Sequence, residues 1–529
     1  MYISHASTLG GAEQSLIDII KYLKEQIHPI VILPKNGAIE QILDSLYVKY
    51  YIYDYPQTKE NIGKKDSNKN AKDFCKTYEI AHALMQLIKE EQIDLIHTNT
   101  TVVDVGALAA IMAGIPHIWH FRELMEEDFN IEYQDIKFKK FLFKNTSTCI
   151  SISQCVYEKY KNTYHIKSKK INDGIDTERF LLELGNKDLD NHNFYVAGSI
   201  SRNKGQIDAI KAIGLLAKEG YENVTLYIVG SASRQDKWCL HKYIKKHKLE
   251  RYIKFSDFVY SLGELRKNCI GSITTSKMEA LGRVTVEAML AGNIVIGANT
   301  GGTAEILDHD NEYGYLYEQG NSEDLARKIK AVLALPMDEK RKRIKKAQQY
   351  AKEKFDPIVY SNQLVEVYEK AIIEYTLLSK QNQDVKLMKK EMGRITQSYE
   401  ATKKELQKEQ NQEEVTKDKT SFINCIFEKM QSKNYIKNLE KNHISHVAVY
   451  GVGKIGMELI DMLEKTDIQV DYVIDQTENF LSYAYDYYKP YDQLPKTEAI
   501  IITIKNASHI STRYKKAYHY KILHMEEIV

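Results

Sequence analysis

Two successive series of short apolar runs, each run followed by a helix-period segment, constrain this chain most. In the first, from residue 1 to about 190, the pattern predicts strands at 1–4, 29–33, 48–53, 93–97, 116–121 and 148–152, with helices at 12–25, 77–91 and 102–113. In the second, from about 191, it predicts strands at 194–198, 224–229, 252–255, 270–274 and 294–297. Its helices fall at 205–218, 235–247, 283–291 and 322–334. Runs such as Pro29-Ile30-Val31-Ile32-Leu33 carry no alternation, so both faces of such a strand must be covered. Strand–helix alternation with doubly buried strands specifies α/β domains built on parallel sheets. The polar stretch 57–73 reads as a loop, 338–354 as a solvated basic helix and 356–375 as one more helix.

At 529 residues the chain has room for about three domains. The texture changes after 375: 376–443 is rich in Lys, Glu and Gln. Leu378, Val385, Met392, Tyr399 and Leu406 recur there every seven residues, with Met388 and Ile395 between them. That spacing fits either a charged helical linker or a coiled-coil seam for a homodimer through 378–406. A last small α/β unit occupies 444–529, with strands predicted at 446–450, 470–475, 499–504 and 521–525.

Charge excludes one class of partner. The 74 Lys+Arg balance 72 Asp+Glu, which leaves no global field to draw nucleic acid. The six cysteines lie singly at 75, 149, 155, 239, 269 and 425, with no zinc-site spacing. Met1-Tyr2-Ile3-Ser4 enters an apolar strand without the charged start and long apolar core of a secretory signal. The most apolar window, 102–119, contains Asp104 and two glycines, so it reads as a buried helix and a strand start rather than a membrane span. The expectation is a cytoplasmic protein with reduced cysteines.

The window 276–292, SKMEALGRVTVEAMLAG, carries the chemistry. Gly282 precedes a helical run and Gly292 fits its C-terminal cap. The first N–H groups of that helix, near Arg283 and Val284, point outward and suit a diphosphate. Glu279 lies on the entering loop and Glu287, eight residues on, about one turn inside. The pair could accept hydrogen bonds from hydroxyls of a phosphate-linked ligand; taken alone it equally suits a solvated helix face.

The E-x7-E spacing resembles the donor-site signature of retaining family 4 glycosyltransferases of the GT-B fold. Four further windows agree, in order. Gly10-Gly11-Ala12-Glu13 resembles the N-terminal GGAE loop. Asn172-Asp173-Gly174-Ile175-Asp176 with Phe180 resembles the interdomain N-G-[IV]-D stretch, with one extra Asp. Gly198 to Gly205, GSISRNKG, resembles the phosphate motif, and Gly301-Gly302-Thr303-Ala304-Glu305 the GG-x-x-E turn near the nucleotide. The resemblance covers about 1–375. It implies two Rossmann-like domains: 1–190, on the acceptor side and completed by helix 356–375, and 191–355, which binds the donor. It also implies roles. Lys204 would hold the donor diphosphate, Glu287 the ribose hydroxyls and Glu279 the transferred sugar, while Gly10 and Gly11 would let backbone approach phosphate. His120, in Trp119-His120-Phe121-Arg122-Glu123, would orient the sugar or stabilise charge at the anomeric centre, with Arg122 and Glu123 toward the acceptor. The family's usual Arg is Ser199 here; Arg202 would replace it if the loop turns inward.

Substrates implied by the resemblance are a UDP- or GDP-sugar donor and a glycan or lipid-linked glycan acceptor in bacterial surface polysaccharide synthesis. Transfer would retain configuration by front-face attack, with no metal required. Asp308-His309-Asp310 reads as loop polarity rather than a metal motif. Residues 134–145, QDIKFKKFLFKN, would lie on an anionic membrane surface if helical and exposed, or face a core with their aromatic stripe.

In the last unit, Gly451-Val452-Gly453-Lys454-Ile455-Gly456 follows a strand and opens a helix. Asp475 ends the next strand, 19 residues after Gly456. Gly451, Gly453, Gly456 and Asp475 thus form a dinucleotide fingerprint in its required context. The unit resembles small Rossmann-like modules appended to sugar-processing proteins, which leaves a nucleotide pocket or a partner-binding scaffold. Three other functions compete for the whole chain: a sugar-nucleotide epimerase of GT-B fold, an oxidoreductase using the C-terminal module, and a non-catalytic scaffold.

Overall fold

The computed structural model describes residues 1–529 except 184, 186, 257–261, 380–382, 414–438, 452, 477–484, 491, 504–509, 511–513, 515–520 and 525–529. Residues 1–199, 203–230 and 254–409 form one compact unit, and 200–202, 231–253 and 410–529 a second.

The first unit holds two parallel sheets. Strands β1 (Tyr2–Ile3), β2 (Ile30–Leu33) and β3 (Lys49–Ile52) are followed by a short β4 (Lys59–Asn61). Then come β5 (Ile96–Thr98), β6 (His117–Phe121), β7 (Ile131–Tyr133), β8 (Thr148–Ser151) and β9 (Lys169–Lys170). The main sheet runs β3-β2-β1-β5-β6-β8-β9, while β4 and β7 make a separate antiparallel ribbon. All four residues of β2 are buried, as an unbroken apolar run requires. The second sheet is built from β10 (Asn193–Ala197), β11 (Thr225–Val229), β12 (Ile253–Ser256), β13 (Gly271–Thr274), β14 (Ile294–Ala298) and β15 (Gly314–Tyr317). Its order is β12-β11-β10-β13-β14-β15. In both sheets the first strand is central and the order reverses beside it, which creates a ligand crevice at the carboxyl ends of the strands. The long helix Pro357–Ser379 returns to the first sheet, where Tyr360, Leu364, Val367 and Tyr368 join one of its apolar clusters.

Several expectations change. Residues 57–73 are not a loop throughout: they hold β4 and the start of a helix, Ser67–Glu90, capped by Asp66 accepting from the Lys69 N–H. That N-cap is a short-range signal the hydrophobic pattern does not carry. The 134–145 segment is a helix, Ile136–Lys144, whose aromatic stripe turns largely toward the core while Ile136 stays exposed. Leu142 and Phe143 are buried, Phe138 and Phe141 pack against the core, and buried Lys139 pairs with Asp104. No helix among the described residues is long and apolar enough to cross a membrane.

The heptad stripe is also used within the chain. Helix Gln383–Glu413 lies against the helix Ser67–Glu90. Met392 packs on the core, the Tyr399 ring stacks on Tyr78 at 4.2 Å, and Lys403 meets Glu79 at 2.8 Å. This half of the predicted dimer seam therefore has an intramolecular partner. The side chains of Leu378, Val385 and Met388 lie outside the described residues. The stretch read as a linker thus belongs, to residue 409, with the first unit.

The second unit contains a five-stranded parallel sheet: β16 (His446–Tyr450), β17 (Gln469–Ile474), β18 (Asp486–Tyr488), β19 (Ala499–Ile502) and β20 (Lys521–His524), in the order β18-β17-β16-β19-β20. Its core is small, centred on Ala448, Tyr472, Ile474, Ile500 and Tyr514.

Candidate functional site

The predicted donor side begins where β13 ends. The helix Arg283–Leu290 starts at Gly282, whose φ of +87° lies in the left-handed region that glycine enters without strain. The loop before it is pinned by the next glycine pair. A Cβ at Gly301 would come within 2.4 Å of the Glu279 carbonyl, and one at Gly302 within 2.3 Å of the Leu281 carbonyl. The Gly302 N–H donates to the Glu279 carbonyl at 2.7 Å. The GG-x-x-E segment is thus a helix start, Gly301–Leu307, packed too closely on the Glu279 loop for any other residue. Glu305 does not turn toward a ligand: its carboxylate accepts from the backbone N–H groups of Gln154 and Cys155, capping the helix Gln154–Lys159.

Lys204 is placed by a second close approach. Gly205 has φ +64°, and a Cβ there would meet the Thr275 carbonyl at 2.3 Å. Thr275 Oγ1 donates to the Lys204 carbonyl at 2.7 Å, so the two loops are tied together. Lys204 Nζ lies 2.9 Å from Glu279 Oε1 and 3.2 Å from Asp128 Oδ1. Ser276 donates to the same Glu279 oxygen at 2.5 Å. Burial opposes the Lys204 charge, but the two carboxylates prevail and raise its pKa, so it stays cationic. Burial pushes the Asp128 carboxyl up to about 6 against the pull of Lys204, and Glu279 adds to the rise.

Glu287 pairs with Arg266 at 2.6 Å, and its other oxygen stands 3.9 Å from Arg283 Nε. Arg283 reaches from the helix start to the helix Gly11–Leu23, donating to Ser15 Oγ at 3.0 Å and Asp18 at 2.8 Å. Val284 follows it in the first turn. Gly10 and Gly11, exposed at the start of that first helix, do not need glycine for backbone conformation. A Cβ at Gly10 would meet only the flexible Glu13 carboxylate, at 2.8 Å, and one at Gly11 nothing within 4 Å. Arg202 opens the short turn Arg202–Lys204, while Ser199 is exposed and its carbonyl accepts from Gln206 Nε2 at 2.9 Å.

His120 is sealed in the first half. It is fully buried at the end of β6, with Nδ1 3.1 Å from His97 Nε2 and 3.3 Å from Arg122. A guanidinium only donates, so Nδ1 accepts and the ring proton sits on Nε2, 3.7 Å from Asp173. Burial, helped by Arg122, holds the His120 pKa well below its ordinary value. The ring is held neutral. Arg122 and Glu123 also point inward. Arg122 pairs with buried Asp173, and Glu123 accepts from Thr101 Oγ1 at 3.0 Å. Asp173 additionally accepts from Ser15 at 2.8 Å and Tyr360 at 3.1 Å.

The fold has counterparts among known proteins. The family model for Glycosyltransferase Family 4 matches residues 9–179, and that for Glycosyl transferases group 1 matches 182–351. The chain belongs to the GT-B glycosyltransferases. A curated relative, an uncharacterised glycosyltransferase of Methanocaldococcus jannaschii, is 26% identical over 321 residues, spanning 57% of this chain and 86% of the relative. A second, from Haemophilus influenzae, is 24% identical over 63% of this chain and 90% of its own length. Among solved structures, Anabaena HepE in complex with UDP-glucose aligns with TM-score 0.57 and 25% identity, covering 70% of this chain and 98% of that one. A glycosyltransferase from Rickettsia africae shares the fold at TM-score 0.58 and 20% identity, over 70% of this chain and 98% of its own.

In this transferase the structure brings Lys204 and Glu279 together and sets Glu287 beside Arg283. It leaves His120 behind the Arg122–Asp173 pair. Sequence reasoning missed Asp128, Asp18, Arg266 and Asp173. Asp18 carried a readable signal, a carboxylate inside the apolar run Leu16-Ile17-Asp18-Ile19-Ile20, which demands a cationic partner when buried. Asp128 carried none, being one of three consecutive acids. Among the described residues no group of three or more His, Cys, Asp or Glu could hold a metal ion.

Proposed function

We propose that this glycosyltransferase transfers a hexose, with retention, from a UDP-sugar to a glycan or lipid-linked glycan acceptor in bacterial surface polysaccharide synthesis. The observation that carries the reading is Lys204, a cation held between two carboxylates beside the helix start at Gly282. A UDP-sugar is favoured over a GDP-sugar by the likeness to HepE, whose structures contain UDP and UDP-glucose.

The diphosphate would replace carboxylate at Lys204 and take the free N–H groups at Arg283 and Val284. Glu287 keeps one oxygen for ribose hydroxyls, Arg266 holding the other. Glu279 would release Lys204 and accept from a sugar hydroxyl. In the step itself, the acceptor oxygen bonds to the anomeric carbon on the face the phosphate leaves. The carbon–phosphate oxygen bond breaks, the acceptor proton passes to the departing diphosphate, and UDP leaves. Lys204 and the helix start stabilise the charge that develops on the leaving group.

A second binding activity is favoured by the order of the C-terminal sheet. Its central β16 runs into the turn at Gly451, Gly453 and Gly456, and Asp475 follows β17, an arrangement suited to a dinucleotide.

The test is nucleoside-diphosphate release from UDP-, GDP- and ADP-sugars without added metal, for wild type and Lys204→Ala. Release from a UDP-sugar that the substitution abolishes supports the reading. Release unaffected by the substitution removes it.

A further inference from the structure

We infer that Arg266 sets the preference of the donor site for a ribonucleotide over a deoxyribonucleotide, as a positioning residue that acts through Glu287; the inference rests on the donor reading above. Arg266 belongs to the short helix Gly263–Lys267, which leads into β13. Its Nη2 donates to Glu287 Oε2 at 2.6 Å. The other oxygen, Oε1, stands 3.9 Å from Arg283 Nε, too far for a hydrogen bond. An ion pair that serves stability alone gains most from the two-pronged fork that a guanidinium and a carboxylate can form. This pair uses one prong and leaves one carboxylate oxygen over.

Arg266 is itself fixed at both ends. Its carbonyl accepts from Lys187 Nζ and from Asn293 Nδ2, each at 2.9 Å. Asn293 is fully buried, and its Oδ1 accepts from the Tyr195 hydroxyl at 3.2 Å. The guanidinium lies over the Phe180 ring, 5.0 Å from its centre. The arginine side chain is 6% exposed and that of Glu287 15%, so the carboxylate is stopped from turning by a partner with no room to swing. A glutamate that is free to rotate gives up that freedom when a ligand binds. Here the pair has given it up in folding, and the ligand meets an oxygen already in place.

The place of Glu287 on its helix gives that oxygen a use. Glu287 follows Arg283 by four residues on one face of the helix Arg283–Leu290, about 6 Å along the axis. A nucleoside diphosphate whose phosphates take the N–H groups at Arg283 and Val284 carries its ribose within that reach. Oε1 then accepts from a ribose hydroxyl. A nucleotide without those hydroxyls would displace water from Oε1 and return no donor, and a site built to bond a hydroxyl rejects the analogue that lacks it. Without Arg266 the carboxylate could turn away to water, the penalty would lapse and the preference would shrink.

The experiment is calorimetry on the full chain with two probes, UDP and 2′,3′-dideoxy-UDP, for wild type, Arg266→Met and Glu287→Gln. Methionine keeps a long side chain over Phe180 and removes the N–H groups. The wild type is expected to prefer UDP by about tenfold or more. Arg266→Met should cut that preference at least threefold, mainly through weaker UDP binding, with dideoxy-UDP affinity within about twofold of wild type. A merely structural role would lower both affinities together and leave their ratio intact. An unchanged ratio in Arg266→Met, or equal losses for both probes, overturns the inference. Should Arg266→Met fail to fold, Phe180→Leu loosens the guanidinium while keeping the pair, and a ratio unchanged there overturns it equally. Glu287→Gln separates the two readings. If it lowers the ratio and Arg266→Met does not, only the role of Arg266 falls. If Glu287→Gln leaves the ratio unchanged, or the wild type binds no UDP, the donor reading itself falls and takes this inference with it.

Discussion

The donor half and the C-terminal module use the same backbone device to different ends. In each, a left-handed glycine stands between a central parallel strand and the next helix, directly after β16 at Gly451 (φ +86°) and at the end of the loop that follows β13 at Gly282 (φ +87°). At Gly282 the turn is ringed by side chains from other segments. Three separate stretches of chain meet there: Lys204 engages Asp128 and Glu279, and Arg283 stands near Glu287. At Gly451 the described contacts are to backbone: Thr503 Oγ1 donates to the Gly451 carbonyl and, at 3.1 Å, to that of Tyr450. A Cβ at Gly456 would come within 2.2 Å of the Gly451 carbonyl, so this glycine serves close packing. A glycine turn supplies free N–H groups; the charges that converge on it decide what chemistry those groups join.

The largest effect that separates the two turns is expected from Lys204→Ala. Removing one preorganised donor to a developing anion costs about 10²–10³-fold in kcat. UDP release should therefore fall by that factor, while Gly456→Val should destabilise the module and leave UDP release within about twofold of wild type. Equal losses in both variants would mean that the two turns serve one reaction.

Next is Glu287→Gln. The amide keeps the shape but loses the charge opposite Arg266, which is 5% exposed. Hydrogen bonds to a charged group are worth roughly 1.5–3 kcal/mol. Donor affinity should weaken by about 10- to 150-fold, measured by calorimetry with the UDP-sugar, with the larger change in KM rather than kcat. A loss confined to thermal stability would reassign Glu287 to holding Arg266.

A smaller, pH-dependent effect tests whether the donor turn is occupied by its own carboxylate. Asp128, at about 6, is half protonated near that pH and releases Lys204 as pH falls. Its folded-state value lies above the unfolded one, so its contribution to stability is full below about 3.9 and is lost as pH rises through about 6. Donor binding should accordingly tighten by up to about tenfold from pH 7 to pH 5, and Asp128→Asn should flatten that slope and bind the donor more tightly at pH 7. A wild-type slope that survives in Asp128→Asn would locate the titrating group elsewhere.

The parallel sheets were legible because apolar runs and helical periods repeat over many residues. The first predicted strand of each sheet falls within two residues of β1, β10 and β16. The donor loop was legible as well, since glycines forced by contact distances of 2.3 to 2.4 Å stand as a pair in the sequence. Side-chain partnership was not. Asp128 meets Lys204 across 76 residues and Arg283 meets Asp18 across 265, and no local pattern encodes such pairs. The aromatic helix 136–144 and the heptad stripe show the same limit from the other side. Their amphipathic patterns predict that a face must be covered, yet not whether a lipid, a second copy or the chain's own helix covers it.

The smallest effect, and the sharpest on the module, is expected from Thr503→Val. The substitution keeps the shape and deletes the hydroxyl that ties β19 to the Gly451 turn. One neutral hydrogen bond contributes about 0.5–1.5 kcal/mol, so hydrogen exchange of β16 amides should speed up by roughly 2- to 12-fold while donor turnover stays unchanged. If the turn also binds a dinucleotide, NAD should slow that exchange in the wild type, because a ligand stabilises only the folded form that holds it. Thr503→Val should then need more NAD for the same protection, since its loosened turn must be ordered first. Exchange that NAD leaves untouched in both proteins would mark the glycine turn as packing alone, and the contrast with Gly282 would then be one of function as well as of side chains.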